Sequence, residues 1–213
     1  MTEEVLLSTA YFPPAEYFSL IAKSRRVILE RCENYHRQTY RNRCIILGAN
    51  GSLPLIVPVL RGSFHKTPIS GLEIDESKRW REQHLRSITS AYAAAPFFEY
   101  YFDLIRDVIT RQYSFLFDLN TAALGAVCDA LGLGVQIDYT HRFEPEGSPE
   151  NDYRYCITPK RPSRMAGYSD IPYTQVFGER HGFTPRMSII DLLLNNGPGT
   201  RALLLRSLDA DKF

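Results

Sequence analysis

Polar and apolar positions along this chain fall into three regimes, and each predicts a different kind of structure. In the first sixty residues the apolar positions come in strand-length runs. Val5-Leu6-Leu7, Val27-Ile28-Leu29, Cys44-Ile45-Ile46-Leu47 and the run from Leu53 to Val59 read as strands. Pro13-Pro14 closes the first of them, and Pro14 suits the first turn of a helix, where a missing N–H costs nothing. Tyr17, Phe18, Leu20 and Ile21 supply that helix with an apolar face to about Lys23. Asn50-Gly51 between two apolar runs predicts a hairpin, and Pro54 and Pro58 favour an edge for its return strand. Leu72-Glu73-Ile74-Asp75 alternates as a short strand.

The second regime, residues 77–131, has helical spacing. Leu85, Ile88 and Tyr92 share one face, with Trp80 and His84 nearby. Pro96 opens a second helix carrying Phe97, Tyr101, Leu104, Val108 and Ile109. A third, capped by Asp118 or Asn120, packs through Ala122, Ala123, Ala126, Val127 and Ala130 and ends at Gly132 and Gly134. The third regime begins after a strand at Val135-Gln136-Ile137-Asp138-Tyr139. Residues 140–170 are rich in Pro, Gly, Ser and charge, and read as an irregular, mobile segment or a lid, with Tyr153-Arg154-Tyr155-Cys156-Ile157 a short strand inside it. Order returns with a capping box at Ser188-Ile189-Ile190-Asp191, a stop at Asn195-Asn196-Gly197-Pro198 and a last helix over 200–208. The expected fold is α/β. A mixed sheet from the N-terminal half is covered by a helical layer over about 77–131, in one domain spanning 1–213.

Composition removes several classes of function. The formal net charge of +1 gives no global field to draw nucleic acid or an acidic membrane. No apolar run approaches the roughly 20 residues that span a bilayer. Met1-Thr2-Glu3-Glu4 followed by only Val5-Leu6-Leu7 lacks the pattern of a secretory leader, so a cytoplasmic location is expected. Cys32, Cys44, Cys128 and Cys156 form no CxxC pair, and reduced thiols are expected rather than disulfides or a zinc site.

Candidate chemistry concentrates between the second and third strands. Glu33-Asn34-Tyr35-His36-Arg37-Gln38-Thr39-Tyr40-Arg41-Asn42-Arg43 holds three guanidiniums, three carboxamides, two phenols, a hydroxyl, an imidazole and a carboxylate where a loop would carry Gly, Pro or Ser. That inventory suits an oxyanion, which planar bidentate donors hold. If the segment is extended, Glu33, Tyr35, Arg37, Arg41 and Arg43 share one face and His36, Gln38, Tyr40 and Asn42 the other. The alternative is a solvated run paired with acidic residues such as Glu144, Glu146 or Asp152. Ser8, Thr9 and Tyr11 stand where a strand feeds a helix N-terminus, a natural anion corner. Tyr11 reads equally well as a core aromatic. His84 and His36 are the candidate general bases, each with a packed or surface role as its alternative. Glu179-Arg180-His181-Gly182 and the loop bearing Arg61, His65 and Lys66 are further candidates, both also readable as plain turns. There is no GxSxG, GxxxxGK[ST], HExxH or GxGxxG signature.

Three blocks together carry a resemblance. Ser8-Thr9-Ala10-Tyr11-Phe12-Pro13-Pro14 with Tyr17-Phe18, Glu33-Asn34-Tyr35 with Gln38 and Tyr40-Arg41-Asn42-Arg43, and Gly51 to Val59 resemble the WbqC-like proteins. Trp80, His84, Ile88, Tyr92, Ala95-Pro96-Phe97-Phe98 and Tyr100-Tyr101 continue the likeness to about Leu133, and the tail is similar to a Bacteroides-type branch. The resemblance implies a role in O-antigen or surface-polysaccharide synthesis, with glycyl or acyl transfer to a sugar. Many members open with a His and a Gly where this chain has Leu7 and Glu16, so the adenylate-forming chemistry that such a loop serves is not carried over.

The functional expectation is a transferase acting on a phosphorylated or nucleotide-activated small molecule, so the partner is an anionic substrate: a phosphate, nucleotide-sugar or acyl donor. Its alternative is a non-catalytic module that recognises a phosphate or carboxylate on a partner. Nucleic acid is disfavoured by the charge balance, although the interleaved Tyr and Arg keep single-stranded RNA as a third reading. Cofactor, metal requirement and oligomeric state are not assigned by the sequence.

Overall fold

Strand β1 (Thr2–Ser8), helix α1 (Ala15–Ala22) and strand β2 (Ser24–Glu30) form a parallel βαβ unit, with Thr2 opposite Ser24 and Ser8 opposite Glu30. This is a computed structural model, and it describes residues 2–60, 67–147, 151–162 and 164–209. The loop with Arg61, His65 and Lys66 lies outside the described residues. Val5, Leu7, Val27 and Leu29, which share one face of the sheet, are fully buried, whereas on the other face Leu6 is buried, Ile28 half-buried and Arg26 exposed.

The hairpin is β3 (Arg43–Gly48) with β4 (Gly51–Ile56), antiparallel around a two-residue loop. Gly51 follows that loop at φ +100°, a conformation glycine adopts without steric cost. Among the described residues β4 pairs with β3 alone, so Pro54 lies on an edge strand as expected.

The α/β expectation holds, with parallel and antiparallel strands both present, but they divide between two sheets. After helices α2 (Trp80–Tyr92), α3 (Phe98–Thr110) and α4 (Leu116–Ala130), strand β5 (Gln136–Tyr139) pairs parallel with β2. The order is β1-β2-β5, and the hairpin β3-β4 forms a second sheet of its own.

Three expected details differ. Leu72 to Asp75 makes isolated bridges, Val59 with Ile74 and Glu73 with Phe115, and forms no strand. Residues 153–157 also form no strand; the neighbouring Asp152 bridges to Leu6 on the outer edge of β1. Helix α4 starts ahead of both expected caps, and Asn120 turns inward to donate from Nδ2 to the Arg41 carbonyl at 2.8 Å.

The tail adds α5 (Gly178–His181), α6 (Ile189–Asn196) and α7 (Thr200–Ser207). Ser188 and Ile189 wedge between the hairpin and the loop after β1, donating backbone N–H groups to the Ile45 and Pro13 carbonyls. The capping box is half made. Ser188 Oγ accepts from the Ile190 N–H, but the Asp191 carboxylate turns into the core and accepts from Tyr92, Tyr173 and Gln175.

Candidate functional site

Ligand crevices in open parallel sheets lie beyond the carboxyl ends of the strands. Here Ser8 and Glu30 mark those ends, and around them sits a buried network of charge. Arg41 makes a bidentate pair with Glu33, Nε to Oε1 at 2.8 Å and Nη2 to Oε2 at 2.5 Å, and its Nη2 also reaches Ser8 Oγ at 2.6 Å. Arg154 makes a second fork onto Asp152, at 2.9 and 2.6 Å, and donates to Glu30 Oε2 at 2.9 Å. The hydrogen bond to Asp152 holds the Arg154 guanidinium above its ordinary pKa. Arg41, Glu33, Arg154 and Glu30 are all buried, so these groups are spent on one another. Removing one member of such a pair typically costs about 3–5 kcal/mol, because the other is left charged and dry.

The stretch 33–43 is not extended, and its residues do not alternate between two faces. Gln38 lies at φ +59°, and Tyr40–Asn42 is a turn of 3-10 helix whose Thr39 Oγ1 accepts from the Arg41 N–H at 3.4 Å. The turn separates guanidiniums that alternation would have grouped: Arg37 faces outward, Arg41 inward, and Arg43 begins β3. Asn42 is a tie within the fold, its Nδ2 donating to the Val57 carbonyl at 2.9 Å. Tyr35 is buried, with its N–H directed at the Thr67 carbonyl. Burial pushes the Tyr40 phenol up to about 12.

The corner between β1 and α1 is nearly full. Ser8, Thr9, Tyr40 and Arg41 line a cavity of about 20 Å³, room for a water and not for a phosphate. Glu16, in the first turn of α1, is buried there and paired with Arg186 at 3.2 Å, so the chain's own carboxylate answers the helix dipole. Tyr11 runs into the core, its hydroxyl 3.0 Å from His84 Nδ1. His84 is 3% exposed, beside Trp80 and hydrogen-bonded to the Ile56 backbone. Burial pulls its pKa down to about 4. Glu179, Arg180 and His181 lie in the short α5, where His181 Nε2 is 3.1 Å from the Ala49 carbonyl on the hairpin loop.

Beside this filled corner a cleft of about 600 Å³ opens over the outer side of the same network. His36, Arg37, Gln38 and Thr39 form one wall. The facing wall comes from the irregular segment and carries Phe143, Glu146, Tyr155, Lys160, Arg161 and Arg164. Among the described residues, four permanent cations thus face one carboxylate. The Tyr155 hydroxyl points to Glu33 at 3.5 Å, and the Arg41 and Arg154 guanidiniums lie 5.8 and 5.6 Å from its ring centre. Burial, and then Arg41, hold the His36 imidazole below its usual pKa, so it is neutral near pH 7. Arg186 fixes the rim by donating to the Thr158 and Arg161 carbonyls at 2.5 and 2.7 Å.

Of the candidate residues, His36, Arg37 and Gln38 come together on this cleft, Ser8, Arg41 and Glu33 form the support behind it, and Tyr11 and His84 lie apart in the core. The residues that sequence reasoning missed are Phe143 and Tyr155, together with the role of Lys160, Arg161 and Arg164. Their available signal was a basic cluster close after an acidic one within a segment too irregular for any periodicity. The four cysteines are free thiols, Cys44 and Cys128 buried and Cys32 and Cys156 partly so. Among the described residues no helix is long and apolar enough to cross a membrane.

Fold and cleft define an α/β protein with a cleft lined mainly by cationic side chains beside a parallel βαβ unit. Comparison with known proteins makes the class specific. The sequence model of the WbqC-like protein family matches residues 9–158, so the chain belongs to that family. The match runs past the helical layer through Arg154 and Tyr155, taking in part of the cleft's second wall. The chain is also 27% identical to the uncharacterized protein Rv1507c of Mycobacterium tuberculosis (strain ATCC 25618 / H37Rv), over 92% of this chain and 95% of that protein. No solved structure matches.

Proposed function

We propose that this protein is a transferase that binds a phosphorylated or nucleotide-activated small molecule in the cleft between residues 36–39 and the wall that carries Phe143, Glu146, Tyr155, Lys160, Arg161 and Arg164. The observation that carries the reading is the charge of that cleft, where the described residues set Arg37, Lys160, Arg161 and Arg164 against Glu146. Guanidiniums suit phosphate oxygens because their donors are planar and paired. Family membership points the same reading towards surface-polysaccharide synthesis, with glycyl or acyl transfer as the reaction. His36 is the proton acceptor in this scheme, being neutral and on the cleft wall. His84 takes no part, since it is buried and its ring is engaged within the core.

The competing reading is a non-catalytic module that binds a phosphate or carboxylate on a partner. The burial of His84 favours it, because one of the two candidate bases is withdrawn from the cleft. A thermal-shift screen of the wild type and an Arg161→Ala/Arg164→Ala variant, followed by turnover assays, separates the two. A ligand at about 100 times its Kd adds roughly 2.7 kcal/mol of stability. The expected result is stabilisation by an activated donor in the wild type only, followed by transfer to a sugar acceptor. Stabilisation without turnover of any donor supports the binding module. No stabilisation by any phosphate-bearing compound refutes both.

A further inference from the structure

The cleft contains more than cations. Its wall includes three rings, His36, Phe143 and Tyr155. Tyr155 is braced from the interior by the two buried guanidiniums and by Glu33, while its ring lines the cleft. His36 stands beside it at 6.0 Å between ring centres and 76° between planes, so the two rings form a corner. Phe143 is 48% exposed and packs on the Arg154 guanidinium at 5.4 Å. A large aromatic left half in water at a charged cleft is available to a planar ligand. The charge is also more than one phosphate answers. The described residues give the cleft a formal excess of three positive charges, whereas a phosphate monoester brings about −1.5 to −2. The cleft volume falls within the roughly 300–1,000 Å³ of small-molecule sites.

We infer that the cleft recognises a nucleoside diphosphate moiety, with the diphosphate on Arg37, Lys160, Arg161 and Arg164 and the base against Tyr155 and Phe143. This rests on the anion-cleft reading above and narrows it. A phosphorylated sugar would use the cations and leave the rings idle. Two donor classes share the recognised moiety, nucleotide-sugars and coenzyme A thioesters. Stacking of a base on an aromatic side chain corresponds to about fivefold to 150-fold in affinity.

Calorimetric titration of the full chain with pyrophosphate, UDP, ADP, UDP-glucose and coenzyme A tests this. In the wild type at least one of UDP and ADP binds five or more times tighter than pyrophosphate. Tyr155→Ala brings that nucleotide down to the level of pyrophosphate and leaves pyrophosphate unchanged, while Tyr155→Phe binds as the wild type does. If Tyr155→Ala fails to fold, Phe143→Ala serves the same comparison, because its ring is exposed. UDP-glucose tighter than UDP assigns the donor as a nucleotide-sugar, and coenzyme A tighter than ADP assigns a thioester carrier. Nucleotides no tighter than pyrophosphate overturn the nucleoside assignment and leave the anion cleft standing. No binding of either by folded protein overturns both.

Discussion

Replacing His84 by Gln should remove an acid-sensitive step from the stability of this protein. The imidazole is 3% exposed, contacts the Tyr11 hydroxyl at 3.0 Å and hydrogen-bonds the Ile56 backbone. Burial lowers its pKa from 6.5 to about 4. In the unfolded chain the ring takes a proton near pH 6.5; in the folded protein it resists until about pH 4. Between those values the unfolded state binds more protons, so stability falls as pH falls. Each pH unit across that window removes about 1.4 kcal/mol, so the full loss is about 3 kcal/mol, and about 2.5 kcal/mol has gone by pH 4.5. Glutamine does not titrate, and its amide either accepts from Tyr11 or donates to the Ile56 carbonyl. The assay is urea denaturation of both proteins at intervals from pH 7.5 to 4.5, read as the difference between their pH slopes. Taking the difference cancels the carboxylates, including Asp191, whose burial raises its pKa and gives the opposite sign. Equal slopes in the two proteins, or an NMR titration of His84 near pH 6.5, would refute the reasoning and return the ring to solvent and to candidacy as a base.

Two further substitutions test the frame around the cleft. Arg41→Ala leaves Glu33 charged and buried, so denaturant unfolding should show a loss of about 3–5 kcal/mol, most of it recovered in the Arg41→Met/Glu33→Leu double variant; a loss under about 1 kcal/mol would show the pair to be solvated. Gly197→Ala places a Cβ 2.5 Å from the Phe97 ring at φ +50°, and overpacking plus left-handed strain should lower stability by about 2–4 kcal/mol in the same assay, against a gain of about 1 kcal/mol for Gly125→Ala inside α4, where nothing lies within 4 Å.

Local pattern in the sequence determined most of the elements. Strand-length apolar runs, helical stripes, Pro13-Pro14 and Asn50-Gly51 each act within a few residues, so β1, α1, β2, the hairpin and the three central helices were legible within a few residues of their ends. Membership in the WbqC-like family was legible too, because its motifs fall in those same elements. Tertiary structure decided what long-range partners decide. Arg37 and Arg41 are the same residue type four positions apart, yet one faces a cleft and the other a buried carboxylate. The positive φ at Gln38, the turn at Tyr40–Asn42 and the position of Ser8 from β1 bring about that division. The second wall of the cleft was hidden for a related reason. The sequence of that wall has no periodicity to read, and its described residues are tied from distant points in the chain by Glu30, through Arg154, and by Arg186, through the Thr158 and Arg161 carbonyls. A chain shows which residues can bind an anion, but which of them come to line a cleft is fixed only when the buried charges have chosen their partners.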